Sequence, residues 1–205
     1  MTWLSYLGNA DAVFVADTSV LINLNASGRS ADILGSFPCR FAVPDNVAVE
    51  LENGRSNGHS DADMFDALCN AGHVDRVALG KVALGIYESL IDGSTLRTLD
   101  DGEAATLGCA VEHSAIALID ERKARLLCSD MYPELTVVSS AELLTSDPIL
   151  HLLGQQGQID ALHNALRIAR MRVPKELVDK VVEIIGPEAA ASCTSLPRPK
   201  ASKAQ

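Results

Sequence analysis

Short apolar runs alternate along the chain with longer segments in which apolar residues recur at helical spacing. Ala12–Ala16 (AVFVA) and Ala115–Ile119 (AIALI) are continuous apolar runs, which are typical of parallel strands buried on both faces. Leu135–Val138 is a further predicted strand, and the apolar run Arg40–Val43 ends at Pro44. Because helical segments separate these runs, the pattern predicts an α/β fold in which helices flank a central parallel sheet.

Apolar spacing and capping residues predict helices between and after the strands. In the first part of the chain the predicted helices are Thr18–Asn25, Asp45–Leu51, Asp61–Ala71, Val82–Leu90, Asp101–His113 and Glu121–Cys128. The segment Asn53–Ser60 is rich in glycine and asparagine and is predicted to be a loop. After Ser140 only helical patterns remain, at Ala141–Leu144, Pro148–Gln155, Ile159–Met171 and Lys175–Ile185.

This pattern predicts one α/β domain over residues 1–145, followed by a helical extension over residues 146–186 that packs on the same domain. Residues 187–205 are rich in Ala, Ser and Pro and are predicted to form a flexible tail. The amino terminus lacks a basic segment followed by an apolar run, and no apolar stretch approaches the ~20 residues of a membrane helix. We therefore expect a soluble protein without a secretion signal.

Composition supports this architecture and raises one objection to a nucleic-acid partner. Of the 205 residues 47% are hydrophobic but only 4% are aromatic, so the core must be largely aliphatic, as buried parallel strands require. The formal net charge of −10 argues against broad attraction to nucleic acid. The five cysteines are scattered without a CxxC pair, so neither a disulfide framework nor a zinc site is indicated, and a cytoplasmic location is expected.

Acidic residues stand where predicted strands end or helices begin, which is where open α/β sheets bind ligands. Asp17 follows AVFVA and Asp120 follows AIALI, while Glu103 lies in the first turn of the helix before the AIALI strand. Glu50 closes the DNVAVEL helix. Oxygen ligands without His or Cys suit Mg²⁺ or Mn²⁺ better than zinc. These residues are therefore candidates for a divalent-metal site.

Each of these residues also has a purely structural interpretation. Asp17 and Asp120 could each cap the helix that follows, and Glu50 could be an ordinary exposed residue at a helix end. Asp100 and Glu103 have the spacing of a capping box, in which Glu103 folds back to the N–H of the cap residue.

Neighbouring residues add further alternatives. Asp101 and Glu121 are close enough in sequence to replace one of the named metal ligands. Thr18 and Ser19 could hydrogen-bond a carboxylate or a substrate phosphate, and Arg122 could contact a nucleic-acid backbone. Near the end of a predicted helix, Arg167, Arg170 and Arg172 are expected to complement the helix dipole.

Four segments resemble the PIN-domain nucleases, in particular the VapC-like group of toxins from type II toxin–antitoxin pairs. They are ADTSVLINL, VPDNVAVELENG, LDDGEAATLGCAVEHSAIALIDERKAR and PELTVVSSAELL, which together span roughly Ala12 to Leu144. The helical segment ending in VPKELVDKVVEII is also similar to extensions in part of this group.

The resemblance implies a PIN-like fold and cleavage of RNA with Mg²⁺ or Mn²⁺. The family's acidic quartet falls on Asp17, Glu50, Glu103 and Asp120, and of these we expect Asp17, Glu103 and Asp120 to bind metal. As partners the resemblance implies an RNA substrate, with an antitoxin protein or a second copy of the chain as further candidates.

Two other enzyme classes place an acidic residue after a first strand. A haloacid-dehalogenase-type phosphatase needs a second Asp two residues after the first, but the chain has Ser19 there. A receiver-like phosphoacceptor domain needs an acidic pair after the first strand, where the chain offers only Asp17. The remaining alternative is a PIN-like binding or regulatory module with weak or no catalysis, which would be expected to lose the carboxylates that this chain retains.

Overall fold

Five parallel strands form the central sheet of the computed structural model, which describes residues 2–92 and 98–197. Each neighbouring pair is parallel, and the spatial order is β3-β2-β1-β4-β5. The strands are β1 (Val13–Ala16), β2 (Arg40–Pro44), β3 (Asp75–Val77), β4 (Ile116–Leu118) and β5 (Val137–Val138). The predicted α/β fold with a parallel sheet between helices is confirmed.

Twelve α-helices lie before, between and after the strands in the described part of the chain, and a short 3₁₀ turn at Lys175–Leu177 precedes the eleventh. They are α1 (Leu4–Leu7), α2 (Thr18–Ala26), α3 (Ser30–Ser36), α4 (Asp45–Ser56), α5 (Asp61–Asn70), α6 (Lys81–Ile91), α7 (Asp101–Glu112), α8 (Arg122–Met131), α9 (Ser140–Leu144), α10 (Asp147–Ile168), α11 (Val178–Ile185) and α12 (Pro187–Ser192).

Except at β3, the sheet is buried on both faces, and alternate residues of the strands enter different cores. Phe14 and Leu118 point into a larger core that α2, α3, α4, α5, α9, α10 and α11 cover. Val15 and Ala117 point into a smaller core beneath α6, α7 and α8. This two-sided burial is the physical reason for the continuous apolar runs in the sequence.

The helical extension shares the larger core. Leu162 and Leu166 of α10 and Val181 of α11 are fully buried in the same cluster as Phe14. The two helices predicted for this region are joined in α10, which is kinked at Gly154, where φ is 69°. Glycine adopts this left-handed conformation without steric cost, so the chain can bend there.

Two predicted loop or tail segments contain regular structure. Helix α4 continues to Ser56, through the first half of the predicted loop Asn53–Ser60, and Arg55 in its last turn forms ion pairs with Asp63 and Asp66 of α5. In the predicted tail 187–205, residues 187–192 form α12, and Cys193 and Leu196 are buried against the larger core. Residues 198–205 of that prediction lie outside the described residues.

The sequence did not predict β3, because this three-residue edge strand (DRV) is polar and mostly exposed. Within residues 2–92 and 98–197, no helix combines the length and apolar character that a membrane span requires.

A candidate active site at the carboxyl edge of the sheet

The strand order changes direction between β1 and β4, and this is where the candidate residues meet. From β1 the chain crosses to β2 on one side, whereas β4 later pairs with the other side of β1. Ala16 lies opposite Leu118 in the register, so Asp17 and Asp120 leave the same edge of adjacent strands. Open α/β sheets bind ligands at such switch points. Both aspartates are buried, with 2% and 9% of their surfaces exposed.

Asp17 has two roles in the structure. It is the N-cap of α2, because Oδ1 accepts a hydrogen bond from the N–H of Val20 at 2.8 Å, and the hydroxyl of Ser19 donates to the same carboxylate at 3.0 Å. Burial raises the pKa of Asp17 well above its usual value, and the nearby charges of Asp120 and Glu103 raise it further. Asp17 therefore caps a helix and also belongs to a cluster of mutually repelling carboxylates.

Asp120 is held by two side chains that sequence reasoning missed. Oδ1 accepts from the backbone N–H of Ser140 at 2.7 Å, and Oδ2 accepts from Nδ2 of Asn23 at 2.6 Å and from the Ser140 hydroxyl. Burial raises the pKa of Asp120, although these hydrogen bonds oppose the rise. The alternative interpretation of Asp120 as the cap of the next helix is wrong, because the N-cap of α8 is Glu121.

Glu103 projects from the first turn of α7 toward the same edge. It forms the predicted capping box, in which Oε2 accepts from the N–H of Asp100 at 3.3 Å. Burial raises the pKa of Glu103, and the charges of Asp100 and Glu50 add to the effect. Glu103 and Asp120 line one cleft of about 320 Å³, so both carboxyl groups face the same space.

Glu50 connects three helices around this edge. Its Oε1 accepts from the N–H of Gly102 in α7 at 2.8 Å, and its Oε2 accepts from the hydroxyl of Thr18 in α2. Because α4 continues past it to Ser56, the alternative of an ordinary exposed helix-end residue is wrong. A Cβ atom at Gly102 would lie 2.7 Å from Oε2 of Glu50, so the position of Glu50 depends on glycine at this point of α7.

The two neighbouring acidic residues have partners of their own. Asp101 is exposed, and its carboxylate accepts from Nδ2 of Asn46 at 3.0 Å and from the hydroxyl of Tyr87. Glu121 forms an ion pair with Arg172, from the segment that follows α10.

The three residues predicted to contact substrate do not share the same surroundings. The hydroxyls of Thr18 and Ser19 both donate to carboxylates, those of Glu50 and Asp17. Arg122 begins α8 and lines a second cleft, which adjoins Asp120. The sequence allowed Thr18 and Ser19 to bind either a carboxylate or a substrate phosphate. In the structure both hydroxyls bind a carboxylate.

The chemistry of this cluster suits a hard cation. Within the described residues, no three or more His, Cys, Asp or Glu side chains are arranged closely enough to hold a metal ion as they stand. The donors are nevertheless carboxylate oxygens, which Mg²⁺ and Mn²⁺ prefer, and burial is the main cause of the raised pKa values of Asp17, Glu103 and Asp120, with neighbouring carboxylates raising those of Asp17 and Glu103 further. A cation among these oxygens would offset that repulsion.

A family model described as "DUF3368: PIN domain" matches residues 13–187, from the start of β1 to the start of α12. No curated protein and no solved structure matches the chain.

Proposed function

The chain belongs to the PIN-domain family, and on this basis we propose that it is a metal-dependent endoribonuclease, which hydrolyses RNA phosphodiester bonds. PIN domains are generally nucleases that use divalent metal ions. The observation that carries the proposal is the meeting of Asp17, Glu103 and Asp120 at the strand switch point, where each has a raised pKa. Buried, mutually repelling carboxylates are costly for a fold unless a ligand uses them.

In this proposal Asp17, Glu103 and Asp120 hold the ion, and the side chains around them fix their directions. Ser19 and the N–H of Val20 orient Asp17. A bound Mg²⁺ or Mn²⁺ supplies a water of lowered pKa and positive charge next to the phosphate oxygens.

The partners of Asp120 orient it, and Glu50 adds negative charge to the site. Asn23 and Ser140 orient Asp120 through three hydrogen bonds. Glu50, held by Thr18 and Gly102, adds negative charge beside Glu103 and completes the quartet. Such orienting partners around a metal ligand tune both its position and its basicity.

A cleavage assay with end-labelled single-stranded RNA tests this function. We expect cleavage with millimolar Mg²⁺ or Mn²⁺ and none in excess EDTA, because without the ion the carboxylates provide neither an activated water nor positive charge. A DNA strand of the same sequence serves as the substrate control. Equal cleavage of RNA with the metal ion and in EDTA would overturn the metal mechanism. Cleavage of the DNA alone would overturn the assignment of RNA as the substrate.

Gly102→Ala tests whether the position of Glu50 matters for cleavage. The new Cβ would displace the Glu50 carboxylate, which is the flexible end of a side chain, so the fold should persist. We expect cleavage to fall at least ~10-fold, the equivalent of ~1.4 kcal/mol in the barrier, with little change in melting temperature. Gly85→Ala is the matched control, because no atom lies within 4 Å of a Cβ at that helical glycine. Equal activity of the two variants would remove Glu50 from the mechanism.

We also propose, from the resemblance of the four sequence segments to the VapC-like group, that the protein acts as the toxin of a toxin–antitoxin pair in the cytoplasm. Its partners would then be RNA and an antitoxin protein, and a homodimer is a further candidate assembly. A small reading frame beside the gene, encoding a DNA-binding antitoxin that abolishes cleavage when added in equimolar amount, would support this role. An adjacent product that leaves cleavage unchanged would contradict it.

A further inference from the structure

Two clefts meet at Asp120. The first, here called the acid cleft, is the cleft of about 320 Å³ that contains Glu103 and Asp120. The second, here called the basic cleft, has a volume of about 730 Å³ and shares Asp120, Glu121 and Arg172 with the first. Five cationic side chains line the two clefts: Arg122, Arg125, Arg170, Arg172 and Lys175.

We propose that the acid and basic clefts form one path for an RNA strand, and that Arg170 and Arg172 bind phosphates beside the one that is cut. This inference rests on the proposed ribonuclease function and adds the residues that hold the substrate. Both arginines belong to the segment after α10, outside the α/β domain predicted from the sequence. The dipole role predicted for them does not account for their position on the cleft wall.

The distribution of charge favours a phosphate ligand here. The chain carries a net charge of −10, and several exposed arginines elsewhere are paired, as Arg29 is with Asp32 and Arg40 with Asp75. Arg170 forms no ion pair within residues 2–92 and 98–197, although it lies beside the carboxylate cluster. A protein with this overall charge can bind a polyanion only through such a local concentration of cations.

The backbone at Arg170 indicates that this side chain is present for a reason other than folding. Arg170 has φ 56°, in the left-handed region, directly after the helix C-cap Ala169. Glycine is the usual residue at this position, because a Cβ is disfavoured there. The next residue, Met171, is 1% exposed and donates its N–H to the carbonyl of Ala165 at 3.1 Å. The buried Met171 thus anchors the segment, with Arg170 and Arg172 on either side at the acid cleft.

Arg172 is paired in a way that a phosphate can replace. Its partner Glu121 follows Asp120 directly, and 68% of the Arg172 side chain is exposed. Ion pairs with such exposure contribute little in water, so the guanidinium can exchange Glu121 for an RNA phosphate at low cost. Removing the charge of Glu121 should therefore improve RNA binding, whereas removing Arg172 should weaken it.

The test measures binding of a fluorescent single-stranded RNA by anisotropy in EDTA, at several salt concentrations, so that cleavage does not interfere. For Arg170→Gly and Arg172→Ala we expect Kd to rise about fivefold each, and the slope of log K against log salt to become shallower by about 0.7 for each lost phosphate contact. For Glu121→Gln we expect Kd to fall.

Two controls separate these effects from misfolding and from general charge. Lys180→Ala removes an exposed cation of α11 that lines neither cleft, so its Kd should equal that of the wild type. Arg170→Gly should melt at the wild-type temperature or above, because glycine is unstrained at φ 56°.

The outcomes distinguish this inference from the function on which it rests. Absence of metal-dependent RNA cleavage by the wild type would overturn the proposed function. If the wild type cleaves RNA but Arg170→Gly and Arg172→Ala match it in Kd, in KM and in salt slope, the strand path is wrong and the ribonuclease function stands.

Discussion

Asp17→Asn is expected to reduce RNA cleavage by at least ~1,000-fold while the metal-free protein stays as stable as the wild type or becomes slightly more stable. The loss follows because a ligand of the ion is worth several kcal/mol in transition-state stabilisation. Stability is retained because asparagine caps helices about as well as aspartate, so the bond from the N–H of Val20 survives. Cleavage rates and melting temperatures of the two proteins in EDTA provide the measurement.

Asp17→Ala separates the two roles of this residue. Alanine removes the cap as well as the charge, so we expect the same loss of cleavage together with a stability loss of ~1 kcal/mol. If Asp17→Asn cleaves RNA like the wild type and only Asp17→Ala loses stability, Asp17 is retained for its cap and not for its charge.

Metal and pH provide two further readouts of the same variant. A cation bound only by the folded wild type at a hundredfold excess over Kd stabilises it by ~2.7 kcal/mol, so Mn²⁺ should raise its melting temperature and should raise that of Asp17→Asn much less.

The raised pKa of Asp17 means that the contribution of this carboxyl group to stability is present below the ordinary aspartate pKa and is lost as pH rises through the folded value. The stability advantage of Asp17→Asn in EDTA is therefore expected to grow with pH.

Glu103→Gln is expected to cut cleavage at least ~100-fold and leave thermal stability nearly unchanged. Glutamine can still accept from the N–H of Asp100 and so keeps the capping box, but it provides no negative charge for a cation. Loss of the carboxylate also relieves repulsion with Glu50, which raises the pKa of Glu103 in the wild type. Cleavage assays and thermal melts of wild type and variant test both halves of the expectation.

Asp101→Asn is the matched control, because it changes an acidic residue two positions away in the same helical turn. Asp101 is exposed and bound to Asn46 and Tyr87, so the change should affect neither cleavage nor stability strongly. If Asp101→Asn removes activity and Glu103→Gln does not, the third ligand is misassigned and α7 enters the site by another face.

Local sequence was enough to predict which acidic residues leave the sheet at its carboxyl edge. Asp17 and Asp120 each follow a continuous apolar run, and parallel strands with both faces buried end at a common edge. The order of the strands could not be predicted in this way, because nothing local in AIALI specifies pairing with AVFVA instead of with the strand that precedes it in the chain.

The residues that sequence reasoning missed depend on contacts between distant segments. Asn23 lies in the middle of α2, where its local context suggests only a buried polar residue, and its partner Asp120 is 97 positions away. Ser140 follows β5 as Asp120 follows β4, so its position after a predicted strand was the one available indication. Gly102 is necessary because a Cβ there would collide with the carboxylate of Glu50, which reaches α7 from another helix. This contact cannot be predicted from the sequence around Gly102.

The pairing of β1 with β4 also determines how early during synthesis of the chain the carboxylate cluster can form. This pairing joins segments about a hundred residues apart, a separation that slows folding, and the orienting bond from Ser140 requires twenty residues more. A chain still growing on the ribosome at residue 110 already contains Asp17, Glu50 and Glu103, but neither Asp120 nor the strand that brings it to them. If the protein cuts RNA as proposed, translation itself delays that activity until most of the chain has been synthesised.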